Sequence, residues 1–530
     1  MNAIRWVFRS FFDLLEKWLG RIFPPEWNPM LNLGALGFFF YWIITISGIY
    51  IYIFFDTGVN NAYQSIEYMT HEQWYLAGIM RSFHRYASDL LVVVMMIHML
   101  REFGRDRYRG VRWFSWLTGV PVMAMVFVAG ISGYWLVWDK LAQYVAIVST
   151  EWLDLLPIFG EPIARNFLSP DALESRFFTL MIFMHIAIPL IALAFLWIHL
   201  QRVTKPRINP PRGLAISVFL MLLALSLIHP ALSQSPANLA EVPGDIGLDW
   251  FYLSLFPLME TLPGSITWGM TLCFVVILFA MPWLPPLKRA EAAVVHLDNC
   301  NGCARCFHDC PYGAIELIAR TDGMAFEREP IVDAEKCVAC GLCAGSCPTS
   351  IPFRRMSDLL PGIDLPDRTI ASLRDQTEAI GEQLSGSNRI MVFNCDHGPN
   401  LDKIKSDSIG VVSLACVGQL PPSFIDYVIS RDLADGVMLT GCLENSCDAR
   451  FGIEWTKQRI ARQRDPHLRN RVPRERLKTS WVGATGGSKL RKALEAFSKE
   501  LTQMQPNTRT SSNRTSPKTK IGQSEGESDA

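Results

Sequence analysis

Two cysteine runs carry the most specific chemistry in this chain: CNGCARCFHDCP at 300–311 and CVACGLCAGSCP at 337–348. Each reads C-x2-C-x2-C-x3-C-P, a spacing in which three thiolates hold one [4Fe–4S] cluster and the fourth reaches across to a second. That rule assigns Cys300, Cys303, Cys306 and Cys347 to one cluster, and Cys337, Cys340, Cys343 and Cys310 to the other. Zinc also accepts cysteine quartets, but eight thiols at this spacing, each run closed by proline, favour iron–sulfur chemistry. Twelve of the 13 cysteines lie after residue 299 in tight groups, which points to ligation in a reducing compartment rather than to disulfides.

A second pattern is made of histidines. His84 and His98 flank HRYASDLLVVVMMIH, and His185 and His199 flank HIAIPLIALAFLWIH, the same interval of fourteen residues. Fourteen helical residues rise about 21 Å and return within roughly 40° of the starting face. If the two helices run the same way, His84 is level with His185 and His98 with His199. Two such pairs can close both axial positions of two haem irons, and a haem without an open site carries electrons. Isolated core histidines are the bland alternative, but four at matched levels in apolar helices are costly without a function. Gly34 and Gly48, and Gly119 and Gly133, repeat the interval in two other apolar stretches. They would let a porphyrin approach the backbone, or simply let helices pack.

These residues must be positioned by a chain of two characters. Residues 1–287 are mostly apolar and 288–530 read as soluble, although the formal charge of the whole is zero. Six stretches, near 33–55, 78–101, 113–136, 177–200, 213–231 and 262–284, are long enough to span a bilayer. The loop 101–112 carries five arginines and the loop 201–212 carries Arg202, Lys205, Arg207 and Arg212, whereas 56–77 and 231–261 have no Lys or Arg. The positive-inside rule then puts the basic loops, both termini and the cysteine-rich half in the cytoplasm of an inner-membrane, multi-pass protein. Residues 1–24 read as an amphipathic surface helix rather than a cleavable signal. After the cysteine runs, IMVFNC, GVVSLACVG and GVMLTGC alternate with helical patterns, the mark of a small α/β domain with a parallel sheet. Cys395, Cys416 and Cys442 end these strands and Cys447 follows. Strand ends of an open sheet gather at one edge, so the four could hold a [2Fe–2S] cluster, or be buried without metal. The domains are therefore read as 1–24 surface helix, 25–287 six-helix transmembrane bundle, 288–355 α+β two-cluster domain, 356–388 linker, itself polar and mildly amphipathic and so open to being a bridging helix, 389–502 α/β iron–sulfur domain and 503–530 disordered tail.

Residues 30–285 resemble a shortened cytochrome b of the quinol-oxidising bc-type complexes. The resemblance implies b-type haems ligated by His84 and His185 on the outer side and by His98 and His199 on the inner. It implies an outer-haem propionate near Arg81, and glycines packed at the haems. GYWLVWD (133–139) is similar to the end of the family's third span, with Val137 in place of proline. LDWFYLSLFPLMETLPG (248–264) is similar to the segment with its Pro-Glu-Trp-Tyr quinol motif, so Asp249 stands where the family has a proton-accepting glutamate. By itself a carboxylate in such a loop is as readily a solvated one. Asp89, one turn past His84, would serve proton transfer or pair with Arg85. Residues 288–355 resemble a bacterial two-cluster ferredoxin. Residues 389–500 resemble the delta subunit of methyl-viologen-reducing hydrogenases, which docks on flavin subunits of heterodisulfide-reductase type; Gly398 replaces a further cysteine often found there.

Together the resemblances imply a membrane electron-transfer subunit that links the quinone pool to a cytoplasmic partner. The chain has no G-x-G-x-x-G, so two-electron chemistry falls to that partner, a flavoprotein by implication. Membrane lipid and quinone are further expected contacts, and a homodimer is implied by the cytochrome b resemblance alone. Two rivals are a redox relay or sensor anchor without a quinone site, and a hydrogenase membrane subunit. Nothing suggests nucleic-acid binding; RQRDPHLRNRVPRERLK (462–478) reads as a docking or solvated face.

Overall fold

A computed structural model describes residues 2–156, 163, 168, 174–201, 206–249, 251–284, 290–354, 359–402, 404–444 and 446–504. The chain divides into two units, Met1–Arg289 and Ala290–Ala530. The tail expected at 503–530 lies almost wholly outside the described residues, as do Arg202 and Lys205 of the second basic loop.

The first unit is helical. Its described helices are α1 (Asn2–Leu19), α2 (Leu33–Phe54), α3 (Asn61–His71), α4 (Ile79–Gly104), α5 (Trp113–Val137), α6 (Lys140–Asp154), α7 (Ser175–Leu200), α8 (Arg212–Ile228), α9 (Phe256–Thr261) and α10 (Gly264–Ala280). Helix α2 packs along α4, and α5 along α7. Four of the six expected spans are helices long and apolar enough to cross a membrane: Leu33–Phe54, Gly110–Val137, Ser175–Leu200 and Gly264–Trp283. Of the other two, α4 is long but carries Arg81, Arg85, Asp89 and Arg101, and α8 is 17 residues. Polar residues on a membrane helix must face protein partners, and those of α4 do. Arg101 and Arg105 both bond Glu16 of α1, from Nε and Nη2 at 2.8 Å, and the Glu16 side chain is 1% exposed. The remaining side of α1 shows Trp6, Phe11, Leu14 and Trp18 to the surroundings, as the amphipathic pattern requires. Asp139 caps α6, accepting from Ala142 N at 2.8 Å, and also takes Gln234 N at 2.8 Å. One carboxylate thus ties the end of GYWLVWD to the loop 229–255. Cys273 is exposed on α10 among Leu272, Phe274 and Val276.

Among its described residues the second unit holds three small sheets. Strands β1 (Val294–Val295) and β4 (Ile363–Asp364) pair antiparallel, as do β2 (Ile315–Ala319) and β3 (Arg328–Val332). Two short helical turns, α11 (Arg305–His308) and α12 (Leu342–Ser346), follow the middle of each cysteine run. The stretch 356–388 was expected as a linker or bridging helix; it contains the helix α13 (Ile370–Gln383), which buries Ile370, Leu373, Thr377 and Gly381, and before it β4 pairs with β1. Beyond it lies a parallel sheet in the order β6-β5-β7-β8, made of β5 (Ile390–Cys395), β6 (Ile409–Leu414), β7 (Gly436–Gly441) and β8 (Leu477–Trp481). Every residue of β5 and β7 is buried, which suits central strands covered on both faces. The covering helices are α14 (Ser423–Ser430), α15 (Gly452–Ile460) and α16 (Gly487–Gln503).

Candidate functional site

Within the helical unit the four histidines meet as two pairs. The His84 and His185 rings lie 6.0 Å apart, centroid to centroid. A metal–imidazole bond is about 2 Å, so rings on opposite sides of one iron would sit roughly 6 Å apart. His98 and His199 likewise stand within electrostatic reach of one another. Ring orientation is set from behind. His84 Nδ1 bonds the Ile44 carbonyl at 3.0 Å, and His185 Nδ1 the Ala129 carbonyl at 2.9 Å. A carbonyl only accepts, so each Nδ1 carries the proton and each Nε2 keeps its lone pair for a metal. Ser47, Ser132 and Thr118 hydroxyls add contacts to the Nδ1 atoms of His84, His185 and His199 at 3.3, 3.2 and 3.1 Å.

The glycines act on these same rings. A Cβ at Gly48 would stand 2.9 Å from His84 Cε1, at Gly133 2.8 Å from His185 Cε1, at Gly119 3.3 Å from His199 Cε1, and at Gly34 3.8 Å from His98 Cε1. They make room for the imidazole edge, in addition to whatever a porphyrin needs. Three of the four are preceded by a hydroxyl, in ISG, LTG and ISG, which was readable but passed over; Leu33 precedes Gly34. The buried Arg81 donates to Ser233 Oγ at 2.7 Å and also bonds Thr70, with Glu67 at 3.7 Å.

Asp249 is not free. Arg85 and the Tyr134 hydroxyl (2.6 Å) bind its carboxylate, with Phe251 N at 2.5 Å and Tyr252 N at 3.1 Å. Burial opposes its ionisation, but the Tyr134 bond, Arg85 and the two amides outweigh this and hold its carboxyl below the usual range. Arg85 also reaches Asp89 Oδ1 at 3.5 Å, so the pairing weighed for Asp89 is present. Beside this cluster, between α6, α9 and the loop 239–248, opens a cavity of about 690 Å³. Its lining includes Tyr144, Glu151, Trp152, Leu248, Met259 and Glu260, and does not include Asp249. Tyr144 bonds Glu260, and burial together with that carboxylate pushes its hydroxyl up to about 12. Volumes of roughly 300–1,000 Å³ with apolar walls and a few polar groups suit small ligands.

In the second unit the eight cysteines lie close to one another. Cys306 lies within electrostatic reach of Cys347, Cys303 and Cys300; Cys343 of Cys340, Cys337, Cys306 and Cys310. The loops are alike in conformation: left-handed residues fall at Gly302 and Ala304 in the first run and at Ala339 and Gly341 in the second, the same two offsets. An alanine held at φ 61° or 52° is strained unless its surroundings demand it. Burial, with neighbouring thiols adding to it, pushes Cys306 up to about 12, and burial does the same to Cys340. A bound cluster would need these cysteines as thiolates, and its positive iron would supply what burial opposes.

The third cysteine group forms a ring at the sheet edge. Cys395 and Cys442 sulfurs are 3.9 Å apart, Cys416 touches Cys395 and Cys447, and Cys447 touches Cys442. All four are buried. The chain passes from β5 to β6 on one side and returns to β7 on the other, so the ring lies at the topological switch point, where open α/β sheets bind ligands. Gly452, the last residue of GCLENSCDARFG, is a missed member: a Cβ there would stand 2.3 Å from Cys416 Sγ. Gly398 has no room for a side chain either, its Cβ position being 2.4 Å from Asn394 Oδ1 and 2.8 Å from Gly441 Cα.

Comparison with known proteins matches three family models in succession. Residues 19–206 match Cytochrome b/b6/petB, residues 288–351 the 4Fe-4S dicluster domain, and residues 400–505 the methyl-viologen-reducing hydrogenase delta subunit. The chain is similar to cytochrome b of Acanthamoeba castellanii, 24% identical over 296 residues, covering 49% of this chain and 74% of that one. It is similar also to cytochrome b of Rhodospirillum rubrum, 22% identical over 302 residues, covering 51% and 73%. Among solved structures, a hyperthermophilic respiratory complex III chain aligns with TM-score 0.39 and 20% identity, over 48% of this chain and 75% of that one.

Proposed function

With a cytochrome b/b6 domain, a 4Fe-4S dicluster domain and a hydrogenase delta-type domain in one membrane electron-transfer chain, we propose that the protein carries electrons between quinone and a soluble redox partner. The observation that carries the reading is two facing histidine pairs in the same chain as three cysteine cages. When bound, two haems, two [4Fe–4S] clusters and one [2Fe–2S] cluster supply one-electron carriage. The chain's residues would do the rest: His84 and His185, and His98 and His199, would hold the haems, with the Nδ1 protons of His84 and His185 fixed by backbone carbonyls.

The cavity beside α6 and α9 supports a quinone site. Its apolar walls fit a ring and its tail, and Glu260 with Tyr144 offers a carboxylate–hydroxyl pair to handle the proton. This geometry favours Glu260 over Asp249 as the proton acceptor. Asp249 would instead anchor Arg85. The basic loops support a cytoplasmic placement of the cysteine-rich unit, and the absence of a nucleotide fingerprint supports a flavin-bearing partner.

The test is anaerobic extraction in mild detergent, followed by haem analysis and mass spectrometry of what co-purifies. Two b-type haems per chain, reduced or oxidised by a short-chain quinone analogue, and a flavoprotein in the complex are expected. Haems unresponsive to any quinone, with no partner, would leave the relay reading; a nickel–iron subunit would make it a hydrogenase subunit.

A further inference from the structure

The two tetranuclear cages are not equivalent with respect to the four-cysteine ring. Cys340 packs against the apolar core that contains Cys395, Cys416, Cys442 and Cys447, and it senses Cys447 electrostatically. Helix α12, which contains Cys343, lies directly on the turn Val417–Gln419 that follows Cys416. A Cβ at Gly345 would fall 2.0 Å from Gly418 O, and one at Gly341 2.7 Å from Gln419 Cγ. Only glycine lets these backbones come so close. The loop after Cys310 is latched to the loop after Cys447 as well. Arg450 Nη1 donates to Pro311 O at 2.8 Å, and Tyr312 Oη donates to Asp448 O at 3.2 Å. The other cage differs: Cys303 is exposed, and near Cys306 a surface pair, Arg305 with Asp465 at 2.9 Å, reaches the α/β part.

Across the contact runs one buried ion pair. Asp309, immediately before Cys310, meets Arg459 of α15 at 2.6 Å, and their side chains are 6% and 1% exposed. The other arm of Arg459 donates to Gly418 O at 3.0 Å, two residues from Cys416. Arg464 also bonds Asp309. Burying such a pair costs several kcal/mol per ion before its attraction is counted, so hydrophobic packing would have held these segments with less expense. What the pair provides is a fixed geometry between a ligand of the tetranuclear cage and a ligand of the ring.

We infer that the cluster held by Cys337, Cys340, Cys343 and Cys310 is the immediate electron partner of the four-cysteine ring, and that Asp309 and Arg459 are positioning residues that fix the two at transfer distance. The cage of Cys300, Cys303, Cys306 and Cys347 stands one step further away. The step is the movement of one electron from a reduced tetranuclear cluster to an oxidised binuclear one, or its reverse, with no bond made or broken and no proton moved. This rests on the assignment of clusters proposed above.

The test is electron paramagnetic resonance on the full chain, purified anaerobically in detergent and reduced with dithionite. In the wild type the binuclear signal is broadened and fast-relaxing through its paramagnetic neighbour. Cys340→Ser, which disturbs the near cage, removes that broadening; Cys303→Ser, which disturbs the far cage, leaves it. Retention in Cys340→Ser with loss in Cys303→Ser would overturn the order, as would a wild-type signal without coupling. Arg459→Gln and Asp309→Asn keep all twelve thiols, so iron and sulfide stay at wild-type level while the broadening weakens; Arg459→Lys recovers part of it. Unchanged relaxation in Arg459→Gln would overturn the positioning role. A wild-type chain with no binuclear signal and sulfide for the tetranuclear clusters alone would instead overturn the reading of the ring itself, and the order with it.

Discussion

At the scale of single residues, the histidine sites depend on what stands behind each ring. The carbonyl, hydroxyl and glycine at His84 and His185 form a repeated module, and its tightness is graded. Gly48→Ala and Gly133→Ala place a methyl within 3 Å of a ring edge, so the imidazole must shift off its metal-binding line. A loss of haem retention of about tenfold or more is expected for both. Gly34→Ala makes only ordinary contact at 3.8 Å and should keep its haem. Haem per chain after gel filtration measures all three. The proton site gives a second contrast. Asp249→Asn still accepts from Tyr134 and leaves Arg85 paired with Asp89, so quinone-driven haem reduction should fall little. Glu260→Gln removes a proton acceptor and should slow it on the order of a hundredfold. Stopped-flow haem reduction with a quinol analogue separates the two, and the opposite ranking would restore Asp249 to the chemistry. The ligand types were legible because thiols and imidazoles at fixed spacing have few other uses. Arg459, Asp309 and Glu260 were not, nor was the contact of Arg85 with Asp249, because a charged residue announces its partner only once the chain is folded.

Among the elements, those with an unbroken period were read well. The three cysteine-ended strands stand where their β-branched runs placed them, and their parallel pairing brings the thiols together. The stretch 356–388 could be read only as a linker or bridging helix, for a physical reason. The buried face of α13 runs Ile370, Leu373, Thr377, Gly381, so half of it is not apolar, and β4 is two residues that make sense only against β1. Helix α4 was read over 78–101 despite its charges, and it forms over Ile79–Gly104 with polar side chains that meet α1 and the loop at Asp249. Asp364 joins β4 to α13, accepting from Leu365 N and Ile370 N at 2.9 Å. Burial outweighs these bonds and raises its carboxyl to about 6. Since the unfolded group ionises near 4, the native state holds the extra proton between these values, and its stability falls as pH rises through that window. The loss is roughly 2–3 kcal/mol. Asp364→Asn lacks this slope, so wild-type stability relative to the variant should decline from pH 4 to pH 7 in denaturant titrations followed by tryptophan fluorescence.

For the whole molecule, length and composition separated a membrane half from a soluble one, and the division at residue 289 agrees with that change of character. The charge balance of zero conceals it, because 50 basic and 50 acidic residues are summed over both halves. Carriers in each half imply a stoichiometry that one assay can check. About ten acid-labile sulfides per chain, beside two haems, are expected from two tetranuclear clusters and one binuclear cluster. About eight would leave the sheet-edge ring without a cluster.

The contact of α12 with the turn at Gly418 also has a consequence for how the chain is made. Ribosomes deliver the N-terminal side first, at about 5–20 residues per second. Leu342 and Ala344, fully buried in the finished protein, emerge some 75 residues before Val417. For roughly 4–15 s, then, the second cysteine run is complete but its apolar shoulder is bare. That interval is when the near cage lacks its cover, and docking of the later sheet ends it.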